Sequence, residues 1–578
     1  MKDWNERYVT PRLVISTHDE MFAEFEKRYG ASLPEFRGDF TPYWEDGAAS
    51  TAAELALARR AVDHLIQGEA LWSVRAPREY PRGDYDAAWR NIAFWDEHTW
   101  GADKSVEEPD LPIVKQEWEF KRKFAVDAAK SAEDLLAQAS KAETKAAASR
   151  AGERTAFDIY NLSSWPRTDV VLMQREKTSL GDRVTDELGK PVPSQRLTTG
   201  ELAVLVEAVP PLGAKRVFVG KGTAFQHGSA VATADSLEND EIALHVSEKS
   251  GAIDSVRWKG KNISLVDEHE AAGWGEYLYV PGTDPAKAQR LSGVHVHVKE
   301  NGPLVASLLI EGDAPGTKKY SSEVRLVAGL NRVDILTKFD KLAIREKESV
   351  HFAFPLRVPG GQMRYDVADG IVRAPEDQLA GACKNFFSVV SWTDVSNTDY
   401  GVTLAVPDAP LVEMGAITAE QPWLRTIQPS PLIYSYALNN YWHTNYKADQ
   451  EGPESFSYAI QPHAAFSPGA AARFGRERRE PLFAAYADES QPPAKSLFQI
   501  SPDVVMVSSV KPIAEGDGWL VYLYNPSSVD QRVTLGFDPS IRVTIRKCDA
   551  FGKVDDGATG PISIAAYGSL YVRVDRVK

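Results

Sequence analysis

Two different spacings of hydrophobic residues divide the chain. From Thr51 to about Arg154, apolar residues recur at intervals of three, four and seven, as they do in amphipathic helices. From Phe157 onward, apolar and polar positions alternate in short runs that Gly, Pro, Asn and Asp separate. The pattern predicts a helical region followed by a long succession of β-strands.

The helical region is expected to contain three helices. The first opens at Thr51 with Glu54 completing a capping box, the second opens near Asp84, and the third follows Ser105. The third is long and carries an apolar seam made of Trp118, Ala125, Ala132, Leu136 and Ala139. Because the connections are short, residues 49–154 are predicted to form an antiparallel three-helix bundle.

An earlier helix is predicted in the stretch "THDEMFAEFEKRYG". Thr17 stands at its N-cap, Glu20 completes a capping box, and Gly30 lies just beyond its end. The stretch that follows, "LPEFRGDFTPYWEDGAAS", is rich in Gly, Pro and aromatic residues and is expected to be a loop.

The strand-rich part shows no alternation of strands with helices, so antiparallel sandwiches are predicted. Two stretches of small and polar residues, near Phe225 and near Gln491, mark predicted domain boundaries. We therefore expect a small β-sandwich at residues 155–225, a large β-sandwich at 226–491 and a C-terminal β-domain at 492–578. The fold class is multidomain α+β.

Composition and charge exclude several classes of function. The formal net charge of -15 disfavours nucleic acid or an anionic membrane as the main partner. We find no apolar run long enough to span a membrane and no apolar leader, so a cytoplasmic protein is expected. The two cysteines, Cys383 and Cys548, lie far apart and predict neither a disulfide framework nor a zinc knuckle.

Aromatic and amide residues are concentrated in "NNYWHTNYKADQEG". Aromatic rings stack on sugar C–H faces and amides bind hydroxyls, so this stretch is a candidate saccharide-binding surface. The candidate contacts are Asn440, Tyr441, Trp442, His443 and Asn445. The alternative is an ordered loop whose amides satisfy backbone groups, and the sequence leaves both open.

Histidines offer two further candidates. His98 follows the helix containing "WRNIAFW" and precedes Thr99 and Trp100. By spacing alone, a packed or capping role for His98 is favoured over a ligand role. His295 and His297 share one face of a predicted strand and could bind metal, but a solvated strand face is favoured over a site.

The sequence contains no recognisable nucleophile motif, phosphate-binding loop or dinucleotide fingerprint. Carboxylates are abundant, and the sequence cannot pair them. Those in the aromatic-rich N-terminal region are the first candidates for acid/base chemistry, namely Asp39, Asp46, Asp96 and Glu97.

The order of several stretches resembles the family 38 glycoside hydrolases, the retaining zinc α-mannosidases. The resemblance rests on "GDFTPYWEDGAASTAAELALARRAVDHLIQGEAL", "YPRGDYDAAWRNIAFWDEHTWGA", "FDIYNLSSWPRTDVV" and "QPSPLIYSYALNNYWHTNYKADQEGPESFSYAIQPH". It implies a catalytic domain, then a three-helix bundle, then β-sandwiches. Residues 1–48 would be a remnant of the N-terminal α/β catalytic domain.

The resemblance also implies a ligand and a substrate. His98 occupies the place of the last of the family's four zinc ligands, and the substrate would be an α-mannoside oligosaccharide. The family often has an aspartate directly after this histidine, where this chain has Thr99. Because they directly follow His98, Thr99 and Trp100 are added to the candidate substrate contacts.

The other family elements are expected upstream of Met1, because the chain contains no H-x-D motif. These elements are the H-x-D zinc pair, the nucleophilic aspartate and the acid/base aspartate. We therefore expect the chain to be inactive alone and to hold zinc only if the missing ligands are supplied. The alternative is a non-catalytic carbohydrate-binding or scaffolding protein. A separate catalytic chain or a homo-oligomer is the expected protein partner.

Overall fold

The structure is a computed structural model of the 578-residue chain. It describes residues 1–36, 38–39, 44–97, 100, 102–141, 154–427, 430–442, 445–554 and 561–577. Within them the chain is multidomain and strand-rich, with several antiparallel sheets and few helices. The α-helices are α1 Lys2–Arg7, α2 His18–Tyr29, α3 Ala52–Arg75, α4 Arg82–Trp95, α5 Pro112–Lys141 and α6 Pro468–Arg479.

Helix α2 begins and ends as the sequence predicts. The Thr17 hydroxyl accepts from the Glu20 amide, the Glu20 carboxylate accepts from the Thr17 amide, and Gly30 follows the last residue. Residues 1–36 are all exposed, including several large apolar side chains of α1 and α2.

Helices α3, α4 and α5 pack against one another. The predicted seam of α5 is turned inward, since Ala125, Ala132 and Ala139 are buried. A buried Glu69 of α3 ties α3 to α4, because one of its oxygens accepts from Tyr80 Oη at 3.0 Å and from Trp89 Nε1 at 3.2 Å.

The start of α3 differs from the predicted capping box. A 3₁₀-helix, Glu45–Thr51, runs directly into α3, so the Thr51 hydroxyl donates to the Ala48 carbonyl instead of capping the helix. The Glu54 carboxylate accepts from Arg122 Nε of α5 at 3.1 Å. The box fails because helical backbone already precedes the residue that was expected to cap it.

Two small sheets follow the helices. The four-stranded sheet has the order Phe483–Tyr486, Arg154–Asn161, Gly213–Gly220, Arg183–Asp186. The three-stranded sheet has the order Arg167–Met173, Leu202–Val209, Ser194–Arg196. Their facing apolar residues share one core, which includes Phe157, Val171 and Val204.

Three larger sheets form the central region. A five-stranded sheet has the order Ile263–Ser264, Ile253–Trp258, Ile242–Val246, Ser236–Glu238, Val231–Ala232. A second five-stranded sheet has the order Glu276–Pro281, Glu348–Pro355, Leu432–Asn439, Leu411–Met414, Phe387–Ser388. The nine-stranded sheet has the order Ser292–Asn301, Val305–Asp313, Thr317–Val327, Val333–Lys341, Gly452–His463, Gly401–Ala405, Trp392–Ser396, Gln362–Val367, Gly370–Ala374. One large apolar core joins them.

The C-terminal region adds two sheets. One has the order Gln499–Ser501, Gln531–Gly536, Ile562–Ile564, and the other Met506–Pro512, Gly518–Tyr524, Ser569–Arg576, Val543–Cys548. Their core is continuous with that of the three packed helices. Trp519 Nε1 donates to the Ser73 carbonyl of α3 at 3.1 Å, so the C-terminal region is fixed directly to the helices.

No helix in the described part of the chain combines the length and the apolarity needed to cross a bilayer.

Close packing between α3 and α4 gives a stability prediction. A Cβ on Gly68 would lie 2.2 Å from the Oη of Tyr85, a residue that is fully buried. Gly68→Ala should therefore lower the free energy of unfolding by about 1–3 kcal/mol. Urea unfolding measures the change.

The matched control is Gly83→Ala in α4, where a Cβ would meet no atom within 4 Å. This variant should be neutral or more stable by up to about 1 kcal/mol, since Ala is the better helix former. Equal stability of the two variants would contradict the packing described here.

Candidate functional site

A connecting segment brings the two candidate stretches of the sequence together. Residues 440–451 link the strand Leu432–Asn439 of one sheet to the strand Gly452–His463 of the nine-stranded sheet. Gln450 Oε1 accepts from the Ala52 amide at 2.8 Å, and its Nε2 donates to the Ala49 and Asn439 carbonyls. Gln450 is only 4% exposed, so these bonds form inside the protein and hold the segment to the start of α3.

A second set of bonds holds the same segment to the residues after α4. The Trp100 amide donates to the Asn445 carbonyl at 3.1 Å. The Ser105 hydroxyl donates to the Tyr446 carbonyl and accepts from Trp118 Nε1 of α5. The two stretches that sequence reasoning singled out separately are therefore neighbours in space.

An aromatic cluster lies where these segments meet. The rings of Trp44 and Trp442 make an edge contact with centroids 5.9 Å apart, and Trp442 meets Tyr446 in the same way at 5.5 Å. Trp442 Nε1 donates to Asn445 Oδ1 at 3.0 Å. Trp44 is 49% exposed and Trp442 is half-buried, so both indole rings reach the surface of the protein.

Trp100 lies beneath this surface. It is 4% exposed, and its ring makes an edge contact with Trp95 at a centroid distance of 5.6 Å. The ammonium of Lys447 lies 5.9 Å from the Trp100 ring centroid. Trp100 therefore supports the segment 440–451 from below.

Asn440 and Tyr441 are engaged by the protein itself. The Asn440 amide donates to the carbonyls of Ile344 and Glu346, both at 2.8 Å, and accepts from the Glu348 amide at 2.7 Å. The buried Tyr441 hydroxyl donates to the Gly282 carbonyl at 3.0 Å. For these two residues the geometry favours the ordered-loop alternative.

Three of the predicted site residues, His98, Thr99 and His443, lie outside the described residues. The nearest described neighbours are Glu97, Trp100, Trp442 and Asn445. The predicted zinc-ligand role of His98 stays a prediction.

Two adjacent carboxyl groups lie behind the aromatic cluster. Burial raises the pKa of Asp46 to about 7, and the nearby Glu420 carboxylate adds to the effect. Burial likewise raises the pKa of Glu45 to about 7, with the Asp39 carboxylate raising it further against a hydrogen bond from Ser388. Sequence reasoning named Asp46 but missed Glu45, although "WEDG" places both next to Trp44.

A carboxyl group that keeps its proton near neutral pH is suited to general acid chemistry. However, Asp46 Oδ1 and Glu45 Oε2 are sealed from solvent and have no hydrogen-bond partner in the described parts of the chain. One oxygen of each carboxyl group is therefore closed to a substrate, and we assign neither residue a catalytic role.

The remaining candidate acids are engaged elsewhere. Asp39 Oδ2 accepts from Tyr365 Oη at 2.6 Å, and Glu97 Oε2 lies 3.3 Å from Lys121 Nζ. Burial raises the pKa of Asp96 above its usual range, although the Lys121 ammonium opposes the shift.

A tightly held zinc ion needs several donor side chains close together. Among the described residues there is no group of three or more His, Cys, Asp or Glu side chains that could hold a metal ion. His295 and His297 are exposed on the edge strand Ser292–Asn301 of the nine-stranded sheet. The described residues alone do not fit a zinc site, and no reaction step is assigned to a metal.

Residues 237–409 match the model of the glycosyl hydrolases family 38 C-terminal domain. None of the curated proteins compared with the chain matches it.

Two solved structures share the fold over nearly the whole chain. An α-mannosidase from Enterococcus faecalis V583 superposes with a TM-score of 0.73 at 13% identity, covering 99% of this chain and 74% of its own. A protein in glycosyl hydrolase family 38, also from Enterococcus faecalis, gives a TM-score of 0.69 at 14% identity, covering 98% of this chain and 74% of its own. The resemblance to family 38 that the sequence suggests is confirmed.

The raised pKa values predict how stability depends on pH. A carboxyl group with a folded-state pKa of about 7 and an unfolded value near 4 stabilises the fold fully below pH 4, and that contribution is lost as pH rises through 7. Asp46→Asn should remove this loss, so the fall in unfolding free energy between pH 5 and pH 8 becomes smaller by about 3 kcal/mol. Urea unfolding across that range measures it.

The control is Asp3→Asn in the exposed helix α1, which should keep the wild-type pH profile. An Asp46→Asn profile as steep as that of the wild type would show that Asp46 does not hold its proton in the folded protein.

Proposed function

We propose that this chain forms the middle and C-terminal region of a family-38-like α-mannosidase and binds α-mannosidic saccharide at the surface of Trp44, Trp442 and Asn445. One observation carries the proposal. The Trp100 amide donates to the Asn445 carbonyl, so the aromatic surface lies beside Trp100, which follows His98 by two residues in the sequence. The family match at residues 237–409 and the fold shared with an α-mannosidase support the choice of sugar.

The proposed reaction is retaining hydrolysis of an α-mannosidic bond, with His98 as one zinc ligand. Zinc held tightly needs several ligands in fixed geometry, and retaining hydrolysis needs two carboxyl groups across the scissile bond. The sequence contains no H-x-D motif. We therefore infer that the other zinc ligands, the nucleophile and the acid/base come from outside these 578 residues.

Within this proposal the packed helices α3, α4 and α5 correspond to the family's three-helix bundle, and residues 1–48 to a remnant of the catalytic domain. The exposed apolar side chains of α1 and α2 support this assignment, because a further folded segment would cover them. A separate catalytic chain or a further copy of this chain could supply that cover. Nucleic acid and membrane are not proposed as partners.

The second candidate is a non-catalytic carbohydrate-binding or scaffolding protein. It is favoured by Asp46 and Glu45, because one oxygen of each carboxyl group is sealed from solvent and has no hydrogen-bond partner among the described residues. Saccharide binding that survives a zinc chelator, without turnover in any assembly, would favour this candidate over the first.

Replacing Trp442 tests the aromatic surface. Trp442→Ala removes a ring that contacts both Trp44 and Tyr446, so affinity for α-mannobiose should fall by about tenfold or more. Trp44→Ala should weaken binding in the same direction. Isothermal titration calorimetry measures both.

The matched control is Trp4→Ala, which removes a partly exposed tryptophan of α1. Affinity should be unchanged in this variant. Equal affinities for Trp442→Ala, Trp44→Ala and the wild type would place the saccharide elsewhere.

Metal content and turnover test the division of the active site. The isolated chain should contain well below one zinc per molecule and show negligible hydrolysis of p-nitrophenyl α-mannopyranoside, since one histidine cannot hold the ion. His98→Ala should leave both values unchanged. Stoichiometric zinc together with substantial turnover in the isolated chain would refute the proposal that most of the zinc ligands lie outside it.

A further inference from the structure

A buried row of polar side chains lies directly behind the candidate saccharide surface. Ser349 Oγ lies 2.8 Å from His351 Nε2 and 2.7 Å from Tyr441 Oη. His351 Nδ1 lies 2.9 Å from Glu413 Oε2, a close contact without the alignment of a hydrogen bond. These four residues, Glu413, His351, Ser349 and Tyr441, are called the polar row below.

Three neighbouring strands of one sheet place the polar row. Ser349 and His351 are two residues apart on the strand Glu348–Pro355, so their side chains lie on the same face. That strand pairs with Leu432–Asn439, which in turn pairs with Leu411–Met414, the strand of Glu413. Tyr441 follows the middle strand two residues after its end.

The row resembles the serine–histidine–acid order of hydrolases, but its position argues against nucleophilic catalysis. Ser349, His351 and Glu413 are all completely buried. The serine hydroxyl contacts Tyr441 within the protein, so a substrate carbonyl could not approach it.

The Gly282 carbonyl at one end of the polar row determines which atom donates in each hydrogen bond of the row. The Gly282 carbonyl can only accept, so the Tyr441 hydroxyl donates to it. The Ser349 hydroxyl must then donate to Tyr441, and His351 Nε2 must donate to Ser349. Each hydroxyl therefore has one orientation, and hydrogen bonds connect His351 through Ser349 and Tyr441 to the Gly282 carbonyl.

Both ends of the row hold a loop at the candidate site. Glu413 Oε1 accepts from the amides of Thr418 and Ala419, both at 2.7 Å. At the other end Tyr441 directly precedes Trp442, and its amide donates to Asn439 Oδ1 at 3.0 Å. Asp46 is close enough to this arrangement for Glu420 and Glu413 to influence its pKa.

We propose that Glu413, His351, Ser349 and Tyr441 are positioning residues that set the place of Trp442 and thereby the affinity of the surface for saccharide. The second half of this statement rests on the proposed function. Removing a hydroxyl from the row leaves a buried partner unpaired, and a shift of Tyr441 and the adjacent Trp442 would relieve that penalty.

The test uses the full chain labelled with 5-fluorotryptophan. The ¹⁹F resonance of Trp442 is assigned by its loss in Trp442→Phe, and α-mannobiose affinity is measured by calorimetry. Ser349→Ala and Tyr441→Phe should each shift that resonance and weaken binding about tenfold. A loss of stability alone would not move the Trp442 signal of the folded protein.

The matched control is Tyr458→Phe. Tyr458 is as buried as Tyr441, and its hydroxyl also contacts a buried serine, donating to Ser435 Oγ at 2.9 Å. This variant should leave the resonance and the affinity unchanged.

The outcomes separate the two proposals. An unchanged Trp442 resonance in both Ser349→Ala and Tyr441→Phe, with wild-type affinity, would overturn the positioning role. A wild-type protein that binds no α-mannobiose would refute the proposed function, whereas a shifted resonance in the two variants would still support the positioning of Trp442.

Discussion

The first amide groups of helix α3 need partners, and the way they are satisfied organises the site. Four amides at a helix start have no partner within the helix. Here Gln450 accepts from Ala52, and the buried Glu454 carboxyl accepts from Ala53. Burial raises the pKa of Glu454 to about 8, because the buried environment disfavours the charged carboxylate. Because both partners come from the β-region, the start of α3 is held against Gln450 and Glu454.

The position of the aromatic surface follows from this contact. The 3₁₀-helix Glu45–Thr51 runs directly into α3. Trp44 stands at its N-cap and therefore lies at the edge of the segment 440–451, where its ring contacts Trp442. The bond between Trp100 and Asn445 fixes the opposite side. Residues far apart in the sequence thus form one surface through buried polar contacts, with the polar row fixing Tyr441 behind it.

Local patterns in the sequence predicted the elements well where local chemistry decides them. The Thr17–Glu20 capping box and the inward seam of α5 depend on neighbouring residues alone, and both are present. The box at Thr51 failed because an upstream helical turn displaced it, which no propensity within the box reveals. The resemblance to family 38 came from the order of long motifs and is confirmed by the family match and the shared fold.

The site was predicted less completely, because its contacts are between distant segments. The sequence named Trp442 and the His98 stretch separately, but not that the Asn445 carbonyl joins them. It could not show that Asn440 and Tyr441 serve the backbone, since a loop amide faces a ligand or a carbonyl with equal ease. The contact of Trp44 with Trp442 was not predicted, because a predicted loop carries no information on its distant neighbours.

A crystal structure of the chain soaked with α-mannobiose tests the central claim most directly. The account predicts a sugar ring in contact with the indoles of Trp44 and Trp442, with a hydroxyl within hydrogen-bond distance of the Asn445 side chain. Sugar bound instead in the cavity of about 780 Å³ beside Glu276 and Arg290, with the aromatic surface empty, would contradict it.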